Sequence, residues 1–111
     1  YHTSADNLDF VDPQSLDFSY RLVAYIIEIL ETNCSPVNLL PYCEPQLGKR
    51  GLYKAMGGDG ESVDQQMAIL WVLNQADGSH SLLEIAKKSG IRYSLIRETC
   101  DILLEHELLR T

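Results

Sequence analysis

The chain has 111 residues, 45% of them apolar and 23% charged, with 16 acids against 9 bases for a formal net charge of −7. This is too apolar for a disordered segment and fits one small domain, or the end of one domain joined to a compact second one. Such an excess of acid disfavours a phosphate backbone as partner unless the few bases gather on one face, and the longest apolar run, Leu22 to Leu30, is interrupted by Glu28 and too short to span a membrane.

The charge is uneven: residues 1–35 carry six acids and one base, residues 36–60 two acids and three bases, and residues 61–111 eight acids and five bases. No basic segment precedes an apolar run, so no signal peptide is expected in this stretch. Cys34, Cys43 and Cys100 are odd in number and lack C-x-x-C spacing, which argues against a disulfide framework or zinc knuckle and points to a reducing, cytoplasmic setting. Cys100 shares helical spacing with Ile96, Leu103 and Leu104, so it reads as a small core residue. Cys34 and Cys43 read as bystander thiols in a loop.

In chain order, Asp12 can cap a helix that starts at Pro13, where the missing N–H costs nothing. Leu16, Tyr20, Val23, Ile26, Ile27 and Leu30 then recur at helical spacing to about Glu31. With Leu22 and Ile29 added the apolar face is broad enough to be packed on more than one side, which favours either a homodimer or docking on a second domain. An ordinary core helix of a small all-helical domain would show the same pattern.

From Thr32 to about Gly60 the periodicity stops among Pro36, Pro41, Pro45 and five glycines. Loops of this length inside compact domains are uncommon unless functional. The run EPQLGKRGLYKAMGG sets Leu47, Leu52, Tyr53 and Met56 between bases, the pattern of an ordered connector that pins apolar side chains to a neighbour. Lys49 and Arg50 could bind an anion, or hydrogen-bond carbonyls and carboxylates of adjoining structure.

The last fifty or so residues read as three helices. Ser62 with Gln65 and Ser81 with Glu84 match the capping box, giving helices from about Val63 to Gln75 and from Leu82 to Lys88. Ser89-Gly90 supplies a left-handed stop, and Leu95, Ile96, Cys100, Leu103 and Leu104 define a third helix from about Tyr93 to His106. Helix, turn, helix in this order is the helix-turn-helix motif. Gly78-Ser79-His80 and Leu108-Leu109-Arg110 could pair as a ribbon, which makes the unit a winged helix. Trp71, in the apolar run MAILWVL, reads as a core anchor, and His80 and His106, without carboxylate or thiol neighbours at ligand spacing, as surface or capping residues.

The opening YHTSADNLDFVD resembles the final metal-ligand segment of the co-catalytic zinc aminopeptidases, the family that includes glutaminyl cyclases and the transferrin-receptor ectodomain. The resemblance makes His2 a zinc ligand, Tyr1 a catalytic residue whose phenol helps hold the tetrahedral intermediate, and Asp6 the acid that orders the loop. The strings EPQLGKRGLY and LWVLNQADGSHSLLEIAKKSGI are similar to the C-terminal part of bacterial aminopeptidase-like proteins encoded with polysaccharide-biosynthesis genes, in which a winged helix follows the peptidase domain.

The resemblance therefore implies a mainly α chain: residues 1–33 as the C-terminal end of an α/β aminopeptidase-like domain, 34–60 as an ordered connector, and 61–111 as a winged helix-turn-helix domain. A catalytic zinc needs three protein ligands and an open position for water, and His2 supplies one. The other donors would lie upstream of Tyr1, so zinc and a peptide substrate are expected for the parent protein and neither catalysis nor metal binding for this chain alone.

The expected partner is the peptidase domain of the same parent, with the winged helix packing on it or binding protein. The alternative is a DNA-binding regulator in which Arg92 and Arg97 contact phosphate or base. Glu98, Asp101 and Glu105 follow on the same helix, where groove binders collect Lys and Arg.

Overall fold

A computed structural model describes residues 3–43, 45–52 and 61–111. The described elements are α1 (Pro13–Thr32), β1 (Val37–Asn38), α2 (Glu61–Gln75), α3 (Leu82–Ser89), α4 (Tyr93–Glu105) and β2 (Leu109–Arg110), a mainly helical chain. They fall into two compact units, Tyr1–Thr32 and Asn33–Thr111.

In the first unit short turns lead into α1. The Asn7 carbonyl accepts from the Phe10 and Val11 amides, and its side chain from the Asp9 amide. Asp12 caps α1 as its position predicts: Oδ2 accepts from the Ser15 amide at 2.9 Å and the Ser15 hydroxyl at 2.6 Å, and Oδ1 from the Gln14 amide. These bonds, the Ser15 hydroxyl first, hold the Asp12 carboxyl below its ordinary pKa. Arg21 pairs with Asp17 one turn back, an exposed contact worth little by itself. No residue of α1 is buried, although the helix is rich in Leu, Ile, Val, Phe and Tyr.

The second unit is built on α2, α3 and α4. Ala68, Ile69 and Val72 of α2, Ala76 just after it, Leu82 and Ile85 of α3, and Ile96, Cys100 and Leu103 of α4 form its core. The spacings of 3 and 4 place each set on one side of its helix. Each fully buried Leu or Ile contributes roughly 1.5–3 kcal/mol of apolar burial, which outweighs the weak propensity of a helix as short as α3.

The capping box of α3 forms in full: Ser81 Oγ accepts from the Glu84 amide, and Glu84 Oε2 accepts from the Ser81 amide at 2.7 Å. The Leu82 amide donates to the Cys34 carbonyl and the Leu83 amide to Asn33 Oδ1, both at 2.9 Å, so the stretch ahead of β1 completes the cap. Gly90 ends α3 at φ 74°, its amide bonded to the Ala86 carbonyl. Lys87 and Lys88 in the last turn suit the negative end of the helix dipole. The helix from Tyr93 ends at Glu105 with His106 as C-cap, the role its position suggested.

Three local expectations are corrected. First, α2 begins at Glu61, so Ser62 lies within the helix and not ahead of it.

Second, β2 pairs antiparallel with β1, Val37 opposite Arg110 and Asn38 opposite Leu109, not with Gly78-Ser79-His80. The Asp77 carboxylate turns that stretch on itself, with Oδ1 accepting from the Ser79 amide and hydroxyl and the His80 amide. Gly78 takes φ 82° and gives its amide to the Pro36 carbonyl. The backbone donors a ladder would use are thus occupied. His80 also has the carboxylate neighbour denied it by sequence spacing, its Nδ1 lying 3.0 Å from Asp77.

Third, Trp71 is half-buried rather than a core anchor. It sits on the outward side of α2 beside Met67, Leu70 and Asn74.

The Pro- and Gly-rich stretch is part of the second unit where it is described. The Asn38 amide donates to the Ala76 carbonyl at 2.7 Å and its side-chain amide to the Leu73 carbonyl at 2.9 Å, which satisfies one carbonyl in the last turn of α2 and one just beyond it. Leu47 and Leu52 are buried, 1% and 2% exposed, and the Leu52 amide bonds the Leu47 carbonyl. Tyr53 and Met56, the other two expected anchors, lie outside the described residues.

Candidate functional site

Two places carry the candidate site residues: the N-terminal segment that bears the aminopeptidase-like motif, and the α3–α4 face that a winged helix would turn to DNA. Tyr1 and His2 lie outside the described residues. Thr3 and Asp6, next in the motif, form a tight turn in which the Asp6 amide donates to the Thr3 carbonyl at 3.0 Å and the Ala5 amide to Thr3 Oγ1. Among the described residues no group of three or more His, Cys, Asp or Glu could hold a metal ion.

On the second face, α4 begins after Arg92, whose side chain makes no capping hydrogen bond. Arg92 is exposed and lines a cleft of about 270 Å³ with Asp64, Gln65, Leu95 and Glu98, so two carboxylates share the cleft with this guanidinium. Arg97 is only partly exposed and is ion-paired within the helix to Asp101. Its Nε is buried without a hydrogen-bond partner. The two candidate phosphate contacts therefore do not form one basic surface. One is beside acids and the other is tied to an acid on its own helix. Farther along, Glu98 and Glu105 are exposed and Asp101 half-exposed, which gives the turns beyond Arg97 a negative field.

Of the pair Lys49-Arg50, Arg50 follows the carbonyl-binding alternative. Its Nε donates to the Pro45 carbonyl and an Nη to the His106 carbonyl, both at 3.1 Å, which clamps the 45–52 turn to the C-terminal end of α4. Cys100 is fully buried, and burial first, with Cys34 nearby second, pushes its thiol up to about 12. It is inert as a nucleophile. Cys43 is exposed with φ 67°, and Cys34 is half-buried.

Sequence reading missed the outward side of α2. Val63, Met67 and Leu70 are 63%, 42% and 53% exposed, on the side opposite Ala68, Ile69 and Val72. The signal was the loss of period in MAILWVL: a surface helix that keeps apolar residues all round has a second side to cover.

A chain whose three helices and short antiparallel ribbon are arranged in this way is a winged helix-turn-helix. Residues 34–111 match the winged helix-turn-helix family, and the chain belongs to it. Residues 1–33 match a domain of unknown function (DUF4910).

Over 110 residues the chain is 46% identical to a Clostridium acetobutylicum protein named for polysaccharide biosynthesis with an aminopeptidase-like domain; the match covers 99% of this chain and 25% of that protein. A crystal structure from C. acetobutylicum titled as a peptidase is similar with a TM-score of 0.80 at 44% identity, covering 99% of this chain and 23% of that one. The chain thus spans about a quarter of the length of the relatives it matches, and the expected likeness to the C-terminal part of aminopeptidase-like proteins holds. Among the described residues no helix is long and apolar enough to cross a membrane.

Proposed function

We propose that this chain is the non-catalytic closing part of a zinc-dependent aminopeptidase-like hydrolase, with the winged helix as a packing and protein-interaction module. The observation that carries the second half of this reading is the charge on α4, where Arg97 is neutralised by Asp101 and the exposed positions that follow include Glu98 and Glu105 but no base. Neutralising a duplex takes a row of free Lys and Arg, because released counterions supply most of the affinity.

Support for the first half comes from α1 and from the name of the longer C. acetobutylicum relative. A 20-residue helix rich in large apolar side chains, none of them buried, needs cover to persist in water. An aminopeptidase-like domain in the same polypeptide supplies it at high effective concentration. In that parent His2 would give zinc one imidazole, Tyr1 would stand beside the reacting centre, and the remaining donors would come from outside this chain. Zinc would supply a bound water of lowered pKa for amide hydrolysis.

The test is a gel shift with duplex DNA at low salt, where nonspecific affinity is strongest. No retardation is expected. Retardation that Arg92→Ala and Arg97→Ala reduce would instead assign the module to DNA. The metal half is checked separately by the zinc content of the full-length protein, which His2→Ala should lower.

A further inference from the structure

The side of α2 turned away from the core has no charged residue between Val63 and Asn74 other than Asp64 at its start. At 100° per residue, Val63, Met67, Leu70 and Asn74 lie within one narrow stripe, with Trp71 on one flank. Directly behind the stripe are the buried Ala68, Ile69 and Val72, so this is not the core side seen through a gap. The stripe is continuous: Met67, Leu70, Trp71 and Asn74 line one shallow groove of about 330 Å³.

We propose that this stripe is the interface for a second copy of the same chain, with the two α2 helices packed antiparallel across a twofold axis. The choice of occupant rests on charge. Asp64, an exposed acid, stands at the N-terminal end of α2 on the Trp71 flank. At the other end of the same flank, Lys88 Nζ donates to Gln75 Oε1 at 2.6 Å, which fixes a base beside the C-terminal end of α2.

A twofold axis between antiparallel helices, perpendicular to them near Met67 and Leu70, keeps each flank on its own side and exchanges the ends. Asp64 of each copy then meets Lys88 of the other, twice by symmetry. A parallel pair, related by an axis along the helices, would put the two Asp64 residues on opposite flanks of the seam and bring neither to a Lys88. The same operation places Val63 opposite Asn74 and Met67 opposite Leu70. Asn74, whose Oδ1 is bonded by Gln75 Nε2 at 2.7 Å, is the polar residue that selects this register over a slipped one.

A helix of 15 residues is about 22 Å long, and a pair in contact along that length falls short of the roughly 800 Å² per partner of a permanent dimer. The dimer therefore forms and dissociates with concentration.

Sedimentation velocity of the 111-residue chain across the micromolar range tests this, with Trp71 emission as a second readout that shifts to the blue as dimer forms. Leu70→Glu and Met67→Glu, both at exposed positions, should leave the chain monomeric at its unchanged melting temperature. Two variants are used so that one failure to fold does not decide the matter. Asp64→Lys should raise the dimer dissociation constant by about tenfold, because it breaks two symmetric pairs, and the double swap Asp64→Lys with Lys88→Glu should restore it.

A monomer at every concentration overturns the proposal. So does a dimer that ignores Leu70→Glu and is lost with Ile26→Glu, which would put the contact on α1. Failure of the double swap to rescue overturns the antiparallel pairing.

Discussion

Replacing Leu47 by Ala separates a built-in segment from a linker. Leu47 lies in the stretch rich in Pro and Gly, is 1% exposed, and is held in a turn closed by the Leu52 amide. The substitution removes three buried carbons, about 2.4 kcal/mol of transfer free energy at roughly 0.8 kcal/mol each. The unfilled space raises the cost to about 3 kcal/mol, inside the range found for buried Leu→Ala changes.

For a unit of this size, with a urea slope near 1 kcal/mol per molar, the midpoint should fall by about 2–3 M. The assay is urea unfolding followed by the fluorescence of Trp71, which reports only on the winged unit because it is the one tryptophan in the sequence. A loss within about 0.5 kcal/mol, the usual size of a surface change, would refute the placement of this stretch in the core. Leu52→Ala, 2% exposed, should behave alike.

Ser81→Ala removes the acceptor for the Glu84 amide and should cost about 1 kcal/mol, while Ser81→Asp keeps most of the stability; equal losses for both would argue against the cap. Gly78→Ala would put a Cβ 3.0 Å from Val37 Cγ2 at a backbone φ of 82°, so a loss of roughly 1–2 kcal/mol is expected, read as a lower melting temperature. Asp77 and Glu84 are held below their ordinary values of 3.8 and 4.5, Asp77 chiefly by the Ser79 hydroxyl and Glu84 chiefly by the Ser81 amide. Because the folded state keeps these groups ionised, the stability they lend is complete above those ordinary values and is lost as pH falls through the lowered ones. The melting temperature should hold from neutrality to about pH 5 and decline below about pH 4. Asp77→Asn should shallow that decline, and an unchanged acid limb would show that the turn is not its source.

What could be read in the sequence depended on how many residues each signal spans. The last two helices, α3 and α4, carry strong punctuation: Ser81 with Glu84, then Ser89-Gly90, then the spacing of Ile96, Cys100 and Leu103. The structure places all of it as expected. The pairing of β1 could not be read, because two residues have no period and Val37 and Asn38 are set among prolines. What holds them is long-range: the Asn38 side chain on Leu73 and the Leu39 amide on the Leu108 carbonyl.

Trp71 was misplaced for a related reason. In MAILWVL every position is apolar, so nothing local says which side meets the core. The acids after Arg97 were visible as spacing, but the direct neutralisation of Arg97 by Asp101 depends on their rotamers. At the N-terminal motif, likeness to a family supplied roles for Tyr1 and His2 that pattern alone could not.

The pairing of Val37 with Arg110 also bears on how the unit comes into being. A nascent polypeptide leaves the ribosome N-terminal end first, and the stretch around β1 emerges long before its mate. Until β2 follows, β1 has one edge open, and Leu47 and Leu52 await part of their surroundings. Closure waits on β2, so a released chain cut just short of Leu108 would keep its helical segments with hydrophobic surface still wet.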